Sequence, residues 1–233
     1  MTTIFTSHKF SLNECPPNLQ KNLSLWSSLN PSYEFKYYND EEMNRWMKKN
    51  SDKETLSLFN KLNSGAGRAD VFRVCHLYVE GGVWADADLP AFDISKQRPD
   101  FQELLSENEG ILVHNRKCNE PRYTLMASMK NNDIFAKLNR CINEQINVAI
   151  QTNSKLGTIH ITGPFVLHKM LCDLLDLESI KGLARESKHL TFVYINDIVP
   201  ERDTYQEENV YVGYAEDLRL IGVTPHGAIR GVG

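Results

Sequence analysis

No two cysteines of this chain stand in a CxxC pair, and the five present, Cys15, Cys75, Cys118, Cys141 and Cys172, are scattered along its length. Such spacing is a poor zinc pattern and a poor disulfide framework, so reduced, mostly buried thiols are expected. Runs of about eighteen apolar residues are also missing, which leaves no candidate membrane-spanning helix. The opening MTTIFTSHKF lacks a basic lead followed by a long apolar core, so it does not read as a secretory signal. A cytoplasmic location is the expectation from these two absences. There is no glycine-rich phosphate loop of the P-loop or dinucleotide type, no internal repeat and no low-complexity tract. Excess charge is absent too. Twenty-six Lys and Arg against 30 Asp and Glu leave a net charge of -4, which argues against a nucleic-acid partner while allowing a local basic pocket for a diphosphate.

What is present suits one globular unit. The 233 residues are 41% hydrophobic and 24% charged, enough to bury a single substantial core, so residues 1–233 are read as one domain. Residues 2–10 read as a first strand. Leu19, Leu23, Leu25, Trp26 and Leu29 approximate a helical stripe that Asn30-Pro31 ends. Tyr33, Phe35 and Tyr37 alternate with Glu34 and Lys36 as in a strand, and Asn39 or Asp40 can cap the helix that follows. Further helices are expected over 56–62, 66–80, 133–150 and from Gly163-Pro164 to residue 175. Strands are expected over 83–87, 110–114, 123–129, 191–195 and 210–214. Alternation of this kind predicts an α/β fold, a mixed but mostly parallel sheet with helices on both faces.

The informative run lies between Gly65 and Pro90. Asp70 and Arg73 are three apart in a predicted helix and so share a face. A carboxylate there suits sugar or ribose hydroxyls, and a guanidinium suits phosphate oxygens. The plainer alternative is an ion pair on a solvated helix surface. Asp86 and Asp88 flank Ala87 at the end of the predicted strand, where a period of two points both side chains the same way. Carboxylates so close repel unless a cation sits beside them, and hard oxygen donors suit Mg²⁺ or Mn²⁺. A solvated strand terminus is the alternative for this pair.

In order, Ala69-Asp70-Val71-Phe72-Arg73, Gly81-Gly82-Val83-Trp84 and Asp86-Ala87-Asp88 form a pattern that resembles the Asp-x-Asp glycosyltransferases of the GT-A type. The resemblance is greatest to the family 32-like group that includes yeast initiating mannosyltransferases and clostridial glucosylating toxins. Upstream, Trp26, Asn30, Pro31 and Tyr33 are similar to that family's Trp-x-x-x-Asn-Pro-x-Tyr segment, and Thr162-Gly163-Pro164 to its Thr-Gly-Pro turn. The resemblance implies a GT-A-type nucleotide-sugar-binding fold and transfer of a hexose, with retention, from a UDP- or GDP-sugar to a saccharide or glycan hydroxyl. It implies that Asp70 binds donor hydroxyls and that Arg73 meets the sugar or its phosphate. Asp86 then touches ribose and metal, Ala87 is counted with it among the donor-binding residues, and Asp88 is the stronger ligand of Mn²⁺ or Mg²⁺. The front-face route usual for the family assigns no enzymic nucleophile, so none is named.

Two stretches depart from that pattern. At the family's base-stacking strand this chain has Thr3-Ile4-Phe5-Thr6-Ser7-His8-Lys9-Phe10, so His8 is what remains to meet the base. The end of the chain lacks the family's tryptophans and offers His226 as a further metal ligand and Arg230 for the diphosphate, with a frayed tail as the alternative. His76 and Trp84 are expected in the core, although Trp84 also has a claim on the donor pocket. His114, Asp197 and Glu201 are candidates for the acceptor side, among short loops at 96–107, 116–122 and 200–208. The rival functions are a nucleotide-sugar hydrolase using the same carboxylates and an inactive nucleotide- or carbohydrate-binding module.

Overall fold

A computed structural model describes residues 2–96, 110–115, 120–154, 157–175 and 191–194. Among these residues six strands form one sheet: β1 (Thr3–Ser7), β2 (Glu34–Tyr38), β3 (Gly82–Ala85), β4 (Gly110–Asn115), β5 (Glu120–Ser128) and β6 (Thr191–Tyr194). Their spatial order is β2-β1-β3-β5-β4-β6. The pairs β1–β2, β1–β3 and β4–β6 are parallel, whereas β5 runs antiparallel to β3 and β4. The helices are α1 (Pro17–Leu29), α2 (Asp40–Asn50), α3 (Lys53–Lys61), α4 (Gly65–Val79), α5 (Asp133–Gln151), α6 (Thr158–Ile161) and α7 (Pro164–Leu175). The expected mixed α/β architecture is what the chain adopts.

Period-two alternation along the strands divides the core in two. Phe5, Trp84 and Met126 face a layer built by α2 to α7. Their neighbours Ile4, Val83, Ala85, Leu125 and Ala127 face the other side, where Trp26 of α1 packs with Tyr33, Phe92 and Ile94. Helices therefore cover both faces, with α1 alone on the second among the described residues.

Local chemistry sets the helix starts. Asn39 caps α2 in a reciprocal box with Glu42, each side chain 2.9 Å from the other's backbone nitrogen. The helix expected over 56–62 begins earlier, at Lys53, because the Asp52 carboxylate accepts from the Thr55 amide (2.9 Å). Strand β1 is shorter than the 2–10 expected, and β3 stops at Ala85 rather than reaching residue 87. The candidate strand at 210–214 lies outside the described residues.

Two glycines make the passage from α4 into β3. Gly81 and Gly82 have φ of 73° and 104°, and a Cβ on Gly82 would stand 2.6 Å from the Thr3 carbonyl oxygen. The bend returns the chain from α4 directly onto β1. Gly82→Ala is expected to cost more than about 2 kcal/mol in urea unfolding, since both conformation and contact oppose a side chain. Gly65→Ala meets no atom within 4 Å and should be neutral or slightly stabilising. Equal effects from the two substitutions would contradict this account of the bend.

Candidate active site at the carboxyl ends of the parallel strands

Strands β1, β2 and β3 run the same way, so their carboxyl ends bring His8, Asn39 and Asp86 to one edge of the sheet. Edges of this kind are where open α/β sheets receive ligands. α4 supplies the rest of the site from behind. Its residues 70–77 are buried all round, which is the behaviour of a helix apolar on every side.

Inside that helix Asp70 and Arg73 are each only 6% exposed. They form an ion pair, Arg73 Nη2 to Asp70 Oδ1 at 3.0 Å, but not the solvated one considered from spacing alone. Burial obliges both groups to be satisfied internally. Arg73 Nη1 meets Asp86 Oδ1 (3.0 Å) and donates to the Tyr123 carbonyl (2.7 Å), and Nε donates to the Ala69 carbonyl (3.4 Å). The guanidinium also lies 4.5 Å from the Trp84 ring centroid. The second oxygen of Asp70 accepts from the Thr162 hydroxyl (2.8 Å). One cation thus stands between two carboxylates from different elements.

The Asp86-Ala87-Asp88 triplet lies in a turn, not on a strand. Asp86 still donates its amide to the Thr124 carbonyl (2.8 Å), which continues the β3–β5 ladder by one bond. The Leu89 amide then reaches back to the Asp86 carbonyl (2.9 Å), and the chain leaves the sheet. Period two therefore does not align Asp86 with Asp88. The Asp86 side chain instead turns inward, where Oδ1 also accepts from Trp84 Nε1 (2.8 Å), and remains 23% exposed. Its Oδ2 makes no hydrogen bond to a described residue. Asp88 is half-buried.

A metal fits this turn in part. Asp86 retains one carboxylate oxygen, and Asp88 brings a second oxygen donor two residues on. Mg²⁺ and Mn²⁺ commonly take few protein carboxylates and complete their shell with water and phosphate oxygens. Among the described residues no three His, Cys, Asp or Glu side chains gather as a metal-ligating group. His226 and Arg230, expected to complete the site, lie outside the described residues, as do Asp197 and Glu201. His114 is on β4, and of its side chain nothing is described.

His8 follows β1, with its Nδ1 3.8 Å from Cys15 Sγ and its ring against Phe10. Tyr37 donates to the Phe10 carbonyl (2.7 Å) and meets Cys15 Sγ at 3.0 Å. Ala87 packs on this same group, so His8 and the middle of the triplet border one small cluster. His76 is core, stacked between Phe5 and Trp46, with Nε2 3.2 Å from the Tyr38 hydroxyl. Trp84 is 1% exposed and likewise core, although its indole N–H serves Asp86.

Two contributors were not singled out from sequence. Thr162 entered only as part of a turn motif, yet its hydroxyl holds Asp70. Asn22, 3% exposed on α1, donates to the carbonyls of Ala87 (2.9 Å) and Leu89 (2.7 Å). A polar residue on the helix face that carries Trp26 was the available signal, since buried amides must find partners.

Residues 16–93, a third of the chain, match the family model described as "Glycosyltransferase sugar-binding region containing DXD motif". Within that stretch Asp86-Ala87-Asp88 is the one Asp-x-Asp triplet. Among solved structures the chain is similar to one titled "PaToxG Glycosyltransferase", with a TM-score of 0.52 and 14% identity over 96% of this chain and 78% of that one. The fold is GT-A-like. No curated protein matches the sequence. No helix among the described residues is long and apolar enough to cross a membrane.

The charge arrangement sets opposite pH trends. Burial raises the Asp70 pKa from 3.8 to about 6, against the pull of Arg73 and Thr162. Its contribution to stability is therefore full below about pH 4 and is lost as pH rises through about 6. Burial lowers His8 and His76 from 6.5 to about 4, so their contribution is full above 6.5 and is lost on acidification toward 4. Carboxyl ¹³C NMR should show Asp70 titrating near pH 6, and higher still in Arg73→Met. A midpoint in the ordinary carboxylate range would overturn the assignment.

Proposed function

We propose that the protein transfers a hexose from a UDP- or GDP-sugar to a hydroxyl of a small saccharide or glycan, with retention and with help from Mn²⁺ or Mg²⁺. The observation that carries this reading is the buried Asp70–Arg73–Asp86 chain of ion pairs ending in an Asp-x-Asp turn at the carboxyl ends of the parallel strands. The matched sugar-binding region spans all of these residues.

Each residue then has a chemical task. Asp70 accepts hydrogen bonds from donor-sugar hydroxyls through the little carboxylate surface it exposes. Arg73 keeps Asp70 ionised near neutrality and fixes Asp86, so both acceptors are oriented before the donor arrives. Its second Nη2 proton remains for the sugar or its phosphate. Asp86, through Oδ2, and Asp88 are the residues that would hold the metal. When bound, that ion would offset charge on the departing nucleoside diphosphate. His8, beside the Cys15–Tyr37 cluster, meets the base edge. His226 and Arg230 are assigned to the metal and diphosphate from the sequence pattern alone.

Incubation with Mn²⁺ and a panel of UDP- and GDP-sugars, followed by mass spectrometry, should detect nucleoside diphosphate from one donor. Asp88→Asn or chelator should reduce release by about 100-fold or more. Release that does not increase with any saccharide acceptor would favour the hydrolase. Absence of UDP and GDP binding would remove the donor-site assignment altogether.

A further inference from the structure

Asn22 and Trp26 of α1 and Asn30, the residue that caps its carboxyl end, recur every four residues and so lie along one side of the helix. Together they engage the eight residues that begin inside the Asp-x-Asp triplet. Asn22 Nδ2 donates to the carbonyls of Ala87 and Leu89, and Asn22 Oδ1 accepts from the Ala91 amide (2.9 Å). The Trp26 ring meets Phe92 edge-on, 5.1 Å between centroids. Asn30 Nδ2 donates to the Phe92 carbonyl (2.9 Å), and Asn30 Oδ1 accepts from the Ile94 amide (2.8 Å). A peptide segment outside any strand is thus read by two carboxamides in the manner of a neighbouring strand. Both asparagines are buried, so water does not readily replace them.

We propose that Asn22 is a positioning residue for the Asp86–Asp88 turn, setting where the Asp88 carboxylate stands. Three features distinguish it from an ordinary buried amide. Its two donor bonds bracket Asp88, falling on the residues immediately before and after. The sheet ladder ends at the Asp86 amide, and beyond it the Leu89-to-Asp86 bond and Asn22 hold the carbonyls of Asp86, Ala87 and Leu89. Asn30 makes equivalent bonds farther along and does not touch the triplet, which supplies an internal control. The consequence for metal and nucleotide rests on the glycosyl-transfer reading above, whereas the control of turn geometry does not.

The test uses the whole chain carrying Asn22→Asp or Asn30→Asp. The first keeps an acceptor for Ala91 but removes the donor to Ala87 and Leu89. Hydrogen exchange of the Leu89 amide reports the turn, and calorimetry reports the Mn²⁺ concentration that half-saturates UDP and GDP binding. Asn22→Asp should speed Leu89 exchange at least tenfold and raise the Mn²⁺ requirement at least tenfold, with α4 amides unchanged. Asn30→Asp keeps the acceptor for the Ile94 amide and removes the donor to the Phe92 carbonyl, and it should leave both readouts within twofold, even at equal loss of thermal stability. Asn22→Ser, which shortens the reach without adding charge, carries the same test should Asn22→Asp not fold. Unchanged Leu89 exchange, or equal effects from the two asparagines, would overturn the proposal. If the unmodified protein binds neither nucleotide, the donor reading fails and the exchange data alone decide the role of Asn22.

Discussion

One guanidinium joins the two halves of this site. Arg73 rises from a helix buried on all sides and meets Asp70 from its own helix, Asp86 from the end of β3 and the Tyr123 carbonyl from β5. A lone charge in that position would be heavily penalised by desolvation, and so would either carboxylate without it. Their mutual dependence couples the packing of α4 on the sheet to the direction in which Asp86 points. Removing Arg73 would leave two neighbouring carboxylates without their cation, whereas removing either carboxylate would leave Arg73 paired with the other.

The sheet explains how so few residues suffice. Parallel β1, β2 and β3 deliver their carboxyl ends to one edge, and antiparallel β5 contributes the carbonyls that meet Arg73 and the Asp86 amide. On one face, α4 presses the charged pair against Trp84. On the other, α1 holds the departing chain with Asn22 and Asn30. The turn that carries the triplet is therefore fixed from both sides of the sheet, by ions on one and by neutral amides on the other.

Much of this was legible in the sequence. The α4 and β3 segments, the Gly81-Gly82 bend, the early strands and the core placement of His76 and Trp84 follow from local patterns that the fold preserves. Burial of the Asp70–Arg73 pair did not follow from its spacing, which is the same on a solvated helix. The decisive sign was the neighbouring Val71, Phe72, Val74, Cys75 and Leu77, which leave that helix no polar face. The end of β3 was misplaced because the Leu89-to-Asp86 turn bond and the Asn22 carboxamide, from 65 residues upstream of Ala87, compete with continuation of the ladder. Contacts that distant leave no trace in a period of two.

Thr162 has a further meaning. Its hydroxyl already sits on Asp70 as an alcohol donor, in the chemical role a sugar hydroxyl would take, so the carboxylate is accustomed to that partner and not to bulk water. A sugar hydroxyl arriving there, as proposed above, would join or replace one of its own kind instead of stripping a hydration shell. Under the glycosyl-transfer proposal, recognition at Asp70 would turn on shape and angle more than on the strength of a new bond.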